Sequence, residues 1–232
     1  MLDVSRRELK YPVSLEEMHR LKTKLAMVMK KDSHNGENGY LVRSLYFDTL
    51  SDSDFEEKVD GYDSRQKVRL RVYDLDSGTA KLELKEKKGI AQRKRSLLLN
   101  RQEAESMMNG EYAFLLSREE PLAHSLYTFI LTKGYRPKCI VEYDRVAYWE
   151  DVNDIRITFD MNLRATEAKV NGIFDKNLIL YPVGPKSEVT MEVKYNGFLY
   201  SYIKNILSIA NRMQVSNSKY IRARMVSKKG RK

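Results

Sequence analysis

Polar and apolar residues alternate with a period of two along several stretches of the chain, the spacing of strands that bury one face. The clearest run is RQKVRLRVYD, where Lys67, Arg69, Arg71 and Tyr73 take every second position and Val68, Leu70 and Val72 fill the gaps. A turn at Asp76-Ser77-Gly78 follows. In the next run Lys81, Glu83, Lys85 and Lys87 alternate against Ala80, Leu82 and Leu84, and QRKRSLLL comes after it. Paired as a hairpin, the two runs would set like charges opposite each other, which destabilises a sheet unless an anion lies between them. The charged face reads as one built around a guest. Arginine, whose planar fork makes two-point contact with phosphate oxygens, is prominent on it.

The same alternation predicts strands over 6–11, with Arg6, Glu8 and Lys10 on one face, and over 40–49, 138–150, 155–160 and 188–195. Helical spacing predicts a helix opened by a capping box at Ser14 and Glu17 and running to about 31, with Met18, Leu21, Leu25 and Val28 on its apolar side. Further helices are predicted from the Asn100 and Glu103 capping box to 109, over 122–133 between Pro121 and Gly134, and over 199–210. Residues 51–61 read as a short helix or link, and 162–177 as loop or short helix. The fold class is therefore α+β, with strands charged on one side and apolar on the other. Such a sheet either shows its charge to water or closes as an antiparallel barrel with the charge inside and the helices packed outside. Residues 1–226 read as a single domain and 227–232 as a basic, disordered tail.

The 42 Lys and Arg residues against 32 Asp and Glu give a net charge of +10, which points to an anionic partner. No run approaches the length of a membrane helix, and the N-terminus has no signal-peptide core. The lone Cys139 fits a buried structural thiol and a reducing compartment, so a cytoplasmic location is expected. His19, His34 and His124 have no partner at zinc-ligand spacing. No glycine-rich nucleotide loop is present, so phosphate binding must come from side chains. Nucleic acid suits the charge but not Glu8, Glu83, Asp160 and Glu192, which share faces with the cations.

Seven segments in order, R-x-E-x-K at 6–10, SLYFDT at 44–49, KVRLRVY at 67–73, ELK at 83–85, YDRVAY at 143–148, RITFD at 156–160 and MEVKY at 191–195, resemble the vacuolar transporter chaperone (VTC) domain. That domain is the polyphosphate polymerase branch of the triphosphate tunnel metalloenzymes, a CYTH-like superfamily. The resemblance implies a closed antiparallel tunnel barrel holding a triphosphate with Mn²⁺ or Mg²⁺. By motif it implies that Lys10, Arg69, Arg71, Lys85, Arg145 and Arg156 are the catalytic cations. Lys94, Tyr143, Ser218 and Lys219 would bind substrate, and Glu192 with Glu8 would hold metal. At Ser216 the family pattern has another Lys. The implied activity is transfer of the ATP γ-phosphate onto an inorganic polyphosphate chain, releasing ADP. A triphosphatase on the same fold and a non-catalytic polyphosphate-binding module are the alternatives.

Overall fold

The computed structural model describes residues 6–89, 91–210 and 213–229; the side chains of Arg6 and Lys229 lie outside the described residues. The alternating stretches all form strands, and the fold is α+β. Ten strands are present among the described residues: β1 (Arg6–Val13), β2 (Lys30–Lys31), β3 (Tyr40–Asp48), β4 (Ser64–Val72), β5 (Thr79–Lys88), β6 (Ala91–Asn100), β7 (Arg136–Glu150), β8 (Ile155–Thr166), β9 (Tyr181–Pro182) and β10 (Val189–Asn196). Six α-helices accompany them: α1 (Leu15–Leu25), α2 (Ser53–Val59), α3 (Arg101–Asn109), α4 (Pro121–Lys133), α5 (Ser201–Leu207) and α6 (Lys219–Lys229). No helix is long and apolar enough to cross a membrane among the described residues.

The chain divides into two compact units. The first comprises residues 1–41, 143–163 and 182–218, and the second 42–142, 164–181 and 219–232. In the first unit the strand order is β1-β10-β8-β7, with β2 added to β7 and β9 to β8. Its core joins Val13, Ile155, Ile157, Phe159, Val189, Met191 and Val193 to Met18, Leu21 and Leu25 of α1 and Ile203 of α5. Because strand side chains alternate, burying the odd-numbered members of β10 under helices leaves Thr190, Glu192 and Lys194 on the opposite face. In the second unit the order is β7-β3-β4-β5-β6. There Leu45, Phe47, Val68, Leu70, Val72, Leu82, Leu84, Leu97 and Leu99 pack on Ala104, Met107, Met108, Leu126 and Ile130 of α3 and α4. In each unit, then, helices cover the apolar face; in the second, α6 also meets the charged face, where its Tyr220 stacks on Tyr46 of β3. The ladder ends at β1 and β6, so hydrogen bonds among the described residues do not close it into a barrel.

Several boundaries move from their expected places, for local reasons. Ser14 and Glu17 make the reciprocal cap, at 3.1 and 2.7 Å, but α1 stops at Leu25. Lys30 and Lys31 instead pair with Trp149 and Tyr148 of β7. Strand β8 continues past Asp160 to Thr166; the left-handed backbone of Asn162 (φ 54°) disturbs the alternation that would have revealed it. Helix α6 was not anticipated, since the residues it buries include Tyr220 and Arg224 and it carries no clean apolar stripe. It extends into the stretch read as a tail, and 230–232 lie outside the described residues. Cys139 is fully buried, and burial pushes its thiol up to about 12, as a structural cysteine requires.

Candidate functional site

In the first unit the charged face is assembled by register. Antiparallel pairing sets Lys10 opposite Glu192 and Glu192 opposite Thr158; the adjoining rows are Glu8, Lys194 and Arg156, and Pro12, Thr190 and Asp160. Glu192 is 4% exposed and lies 3.0 Å from Lys194 Nζ, 3.4 Å from Lys10 Nζ and 3.6 Å from Arg145. Arg145 reaches over from β7 and makes a two-point fork with Asp160, at 2.6 and 2.7 Å. Burial alone would lower its pKa, yet Asp160 and Glu192 hold it well above the ordinary guanidinium value. The ring of Tyr143, also buried, lies 5.3 Å from the Arg145 guanidinium.

Lys10 also donates to the carbonyl of Asn217 at 3.0 Å, and the Val215 N–H bonds to the Lys10 carbonyl at 2.9 Å. These contacts lay the segment carrying Ser218 along β1. Arg156 is turned toward Asp32, at 2.7 Å, and the Tyr40 hydroxyl, at 3.2 Å. The structure thus brings Glu8, Lys10, Arg145 and Glu192 together and places the Arg156 guanidinium at the side of the group.

Among the described residues no cluster of three or more His, Cys, Asp or Glu could hold a metal by protein ligands alone. A Mg²⁺-type ion carried on phosphate needs only one or two carboxylates, the rest of its shell being water and phosphate oxygen. Glu192 and Glu8 are hard oxygen donors on neighbouring strands, and the buried Thr158 hydroxyl beside Glu192 has no hydrogen-bond partner. This donor set fits a divalent ion that arrives with its phosphates.

In the second unit the three strands β4, β5 and β6 set Arg69 opposite Glu83 and Ser96, Lys67 opposite Lys85 and Lys94, and Arg71 opposite Lys81. The expected like-charge pairs are therefore present on two rows, while the middle row carries one carboxylate. Glu83 is 2% exposed and takes Arg69 Nε at 2.6 Å, Lys94 at 3.2 Å and Arg71 at 3.9 Å. Burial pushes its pKa up, but Arg69 and Arg71 outweigh it and hold the carboxyl at about 2. Arg71 also donates to Ser44 Oγ at 3.0 Å.

Tyr46, opposite Arg69 on β3, is stacked on Tyr220 of α6 with ring centroids 5.1 Å apart, and Lys67 lies over both rings. Burial raises the Tyr46 pKa, yet Arg69, Lys67 and Arg71 together bring it down to about 8. The Tyr220 hydroxyl donates to Asp48 at 2.6 Å, which anchors the start of α6 and with it Lys219. Arg69, Arg71, Lys85 and Lys94 thus share one face, with Lys219 held at the first position of α6.

Two important residues lay outside the predicted site. Glu83 is the shared counter-ion of Arg69, Arg71 and Lys94, and Asp160 is the partner of Arg145. Their signal was their position on the charged phase of a period-two run, which names the face but not the partner across it. Chemically, each group can hold polyanionic oxygens in fixed positions.

Comparison with curated protein sequences finds no match. Among solved structures, a candidate adenylate cyclase of Bacillus halodurans is similar in fold, with a TM-score of 0.53 at 15% identity over 92% of this chain and 95% of that one. A candidate adenylate cyclase of Vibrio parahaemolyticus matches with a TM-score of 0.48 at 12% identity, covering 93% and 96% of the two chains. The model of the VTC domain matches residues 5–228, nearly the whole length, and this chain accordingly belongs to the VTC domain family.

Proposed function

We propose that the protein is a metal-dependent phosphotransferase that moves the γ-phosphate of ATP onto an inorganic polyphosphate chain, within a triphosphate tunnel of the kind the family implies. The observation that carries this reading is the Glu83 group: Arg69, Arg71 and Lys94 converge on a single buried carboxylate. A terminal phosphate oxygen of the polymer attacks the γ-phosphorus, the bond to the β–γ bridging oxygen breaks, and ADP leaves with that oxygen. Such a reaction asks the protein for positioning and positive charge rather than for a nucleophile of its own.

In this reading Lys10, Arg69, Arg71, Lys85, Arg145 and Arg156 grip phosphate oxygens. Lys94, Tyr143, Ser218 and Lys219 complete the substrate contacts. Glu83 and Asp160 hold the arginine forks in place before substrate arrives. Glu192 and Glu8 would hold Mn²⁺ or Mg²⁺, which when bound supplies charge neutralisation on the phosphate oxygens. A cytoplasmic setting agrees with the buried, reduced Cys139.

The test is incubation with ATP and Mn²⁺, resolving products by length and assaying ADP, beside an Arg69→Ala, Arg71→Ala double variant. Polymer from the native protein, lost in the variant, supports the polymerase. Orthophosphate without polymer makes the acceptor water and the enzyme a triphosphatase. Tight tripolyphosphate binding without turnover makes it a binding module.

A further inference from the structure

The cations on the second unit's charged face continue past the group just described. One row beyond Lys67, Lys85 and Lys94, Arg65 of β4 stands directly opposite Lys87 of β5, which stands opposite Gln92 of β6. Arg65 and Lys87 are both half-buried, and neither has a carboxylate partner among the described residues. Like charges facing each other across strands cost stability, and here no carboxylate of the described residues is paired with either to offset it. On the reverse face of the same strands the opposite holds: Glu86 takes Arg95 at 3.1 Å, an ordinary surface pair. The imbalance is therefore confined to the face that carries Arg69 and Arg71.

Four residues of strand separate Arg65 from Arg69, about 13–14 Å at the rise of an antiparallel strand. That is farther than a triphosphate gripped at Arg69 and Arg71 extends. The intervening row, Lys67, Lys85 and Lys94, is also cationic, so every row of the face from Arg71 to Arg65 carries at least one cation.

We infer that Arg65 and Lys87 form an outer anion subsite that binds the part of a linear polyphosphate lying beyond its first three phosphates. The inference rests on the phosphate-binding reading of the Arg69 group and adds a chain-length preference to it. The subsite contacts no reacting atom; it holds the polymer and favours long chains over short ones.

The experiment measures binding of sodium tripolyphosphate and of a medium-chain polyphosphate, by calorimetry, for the full chain and an Arg65→Gln, Lys87→Gln double variant. The native protein should prefer the long chain. In the variant, long-chain affinity should fall by about tenfold, the scale of one lost charge-assisted contact, with tripolyphosphate affinity unchanged. The salt dependence of long-chain binding should become shallower. The melting temperature of the variant should be equal or higher, since a repulsive pair is gone, and this separates lost binding from lost folding. An undiminished long-chain preference overturns the inference, as does an equal loss for both ligands, which would merge the row with the main site. If the native protein binds neither ligand, the phosphate-binding reading itself fails.

Discussion

Replacing Glu83 by glutamine removes a carboxylate that Arg69, Arg71 and Lys94 share, at nearly constant volume. The fall of its pKa from the ordinary 4.5 to about 2 corresponds to about 3 kcal/mol of folding stability at neutral pH. Leaving the buried Arg71 and the half-buried Arg69 without this carboxylate gives a cost of similar size, roughly 3–5 kcal/mol. The pH dependence follows from the sign. A carboxyl with a lowered folded-state pKa contributes fully above pH 4.5 and loses its contribution as the pH falls toward 2. By pH 3 about 1.5 kcal/mol of it should remain. Urea unfolding of the native protein and of Glu83→Gln at pH 7 and pH 3 measures the gap directly. It should be near 3 kcal/mol at pH 7 and about half that at pH 3. Tripolyphosphate should restore the variant more than it stabilises the native protein, because the ligand's charge replaces the missing one. A gap under about 1 kcal/mol at pH 7, or one unchanged at pH 3, would show that Glu83 is not the counter-ion of the group.

Four other outcomes are expected. Asp160→Asn leaves Arg145 buried without its fork partner and should cost about 3–5 kcal/mol in urea unfolding, where a cost of a few tenths would mean that the pair is solvated. Tyr46→Phe should remove a phenolate that titrates at about 8 in ultraviolet absorption, and tripolyphosphate should move that titration upward in the native protein; its contribution to stability is complete above pH 10 and lost as the pH falls through 8. Gly39→Ala sets a methyl 2.3 Å from the Arg145 carbonyl oxygen at a φ of +97°, so a thermal melt should show a clear loss of stability, and an unchanged midpoint would contradict the tight approach. Chelation should abolish turnover and added Mn²⁺ restore it, with Glu192→Gln raising the Mn²⁺ concentration needed; turnover that survives chelation would exclude a metal role for Glu192.

The period-two alternation by itself determined which residues share a face. Lys67, Arg69, Arg71, Glu83 and Lys85 lie on one side of their strands and Leu70, Leu82 and Leu84 on the other, because strand geometry allows no third choice. Capping residues at Ser14 and Asn100 likewise opened helices where expected, since their partners are three residues away. What depends on residues distant in sequence was decided only by tertiary structure. That Arg69 faces Glu83 rather than Lys85 is a matter of strand register, which a shift of two residues would change without altering any hydrophobic position. The fork of Arg145 on Asp160 and the anchoring of α6 through Tyr220 and Asp48 join segments up to 172 residues apart. The end of α1 and the existence of α6 were equally non-local, set by pairing with β7 and by ion pairs of the buried Arg224 with the partly buried Asp52 and Glu167. Local pattern encodes burial because each residue's own hydrophobicity is at stake; charge partnership is a property of two residues, and only the folded chain brings them within reach of each other.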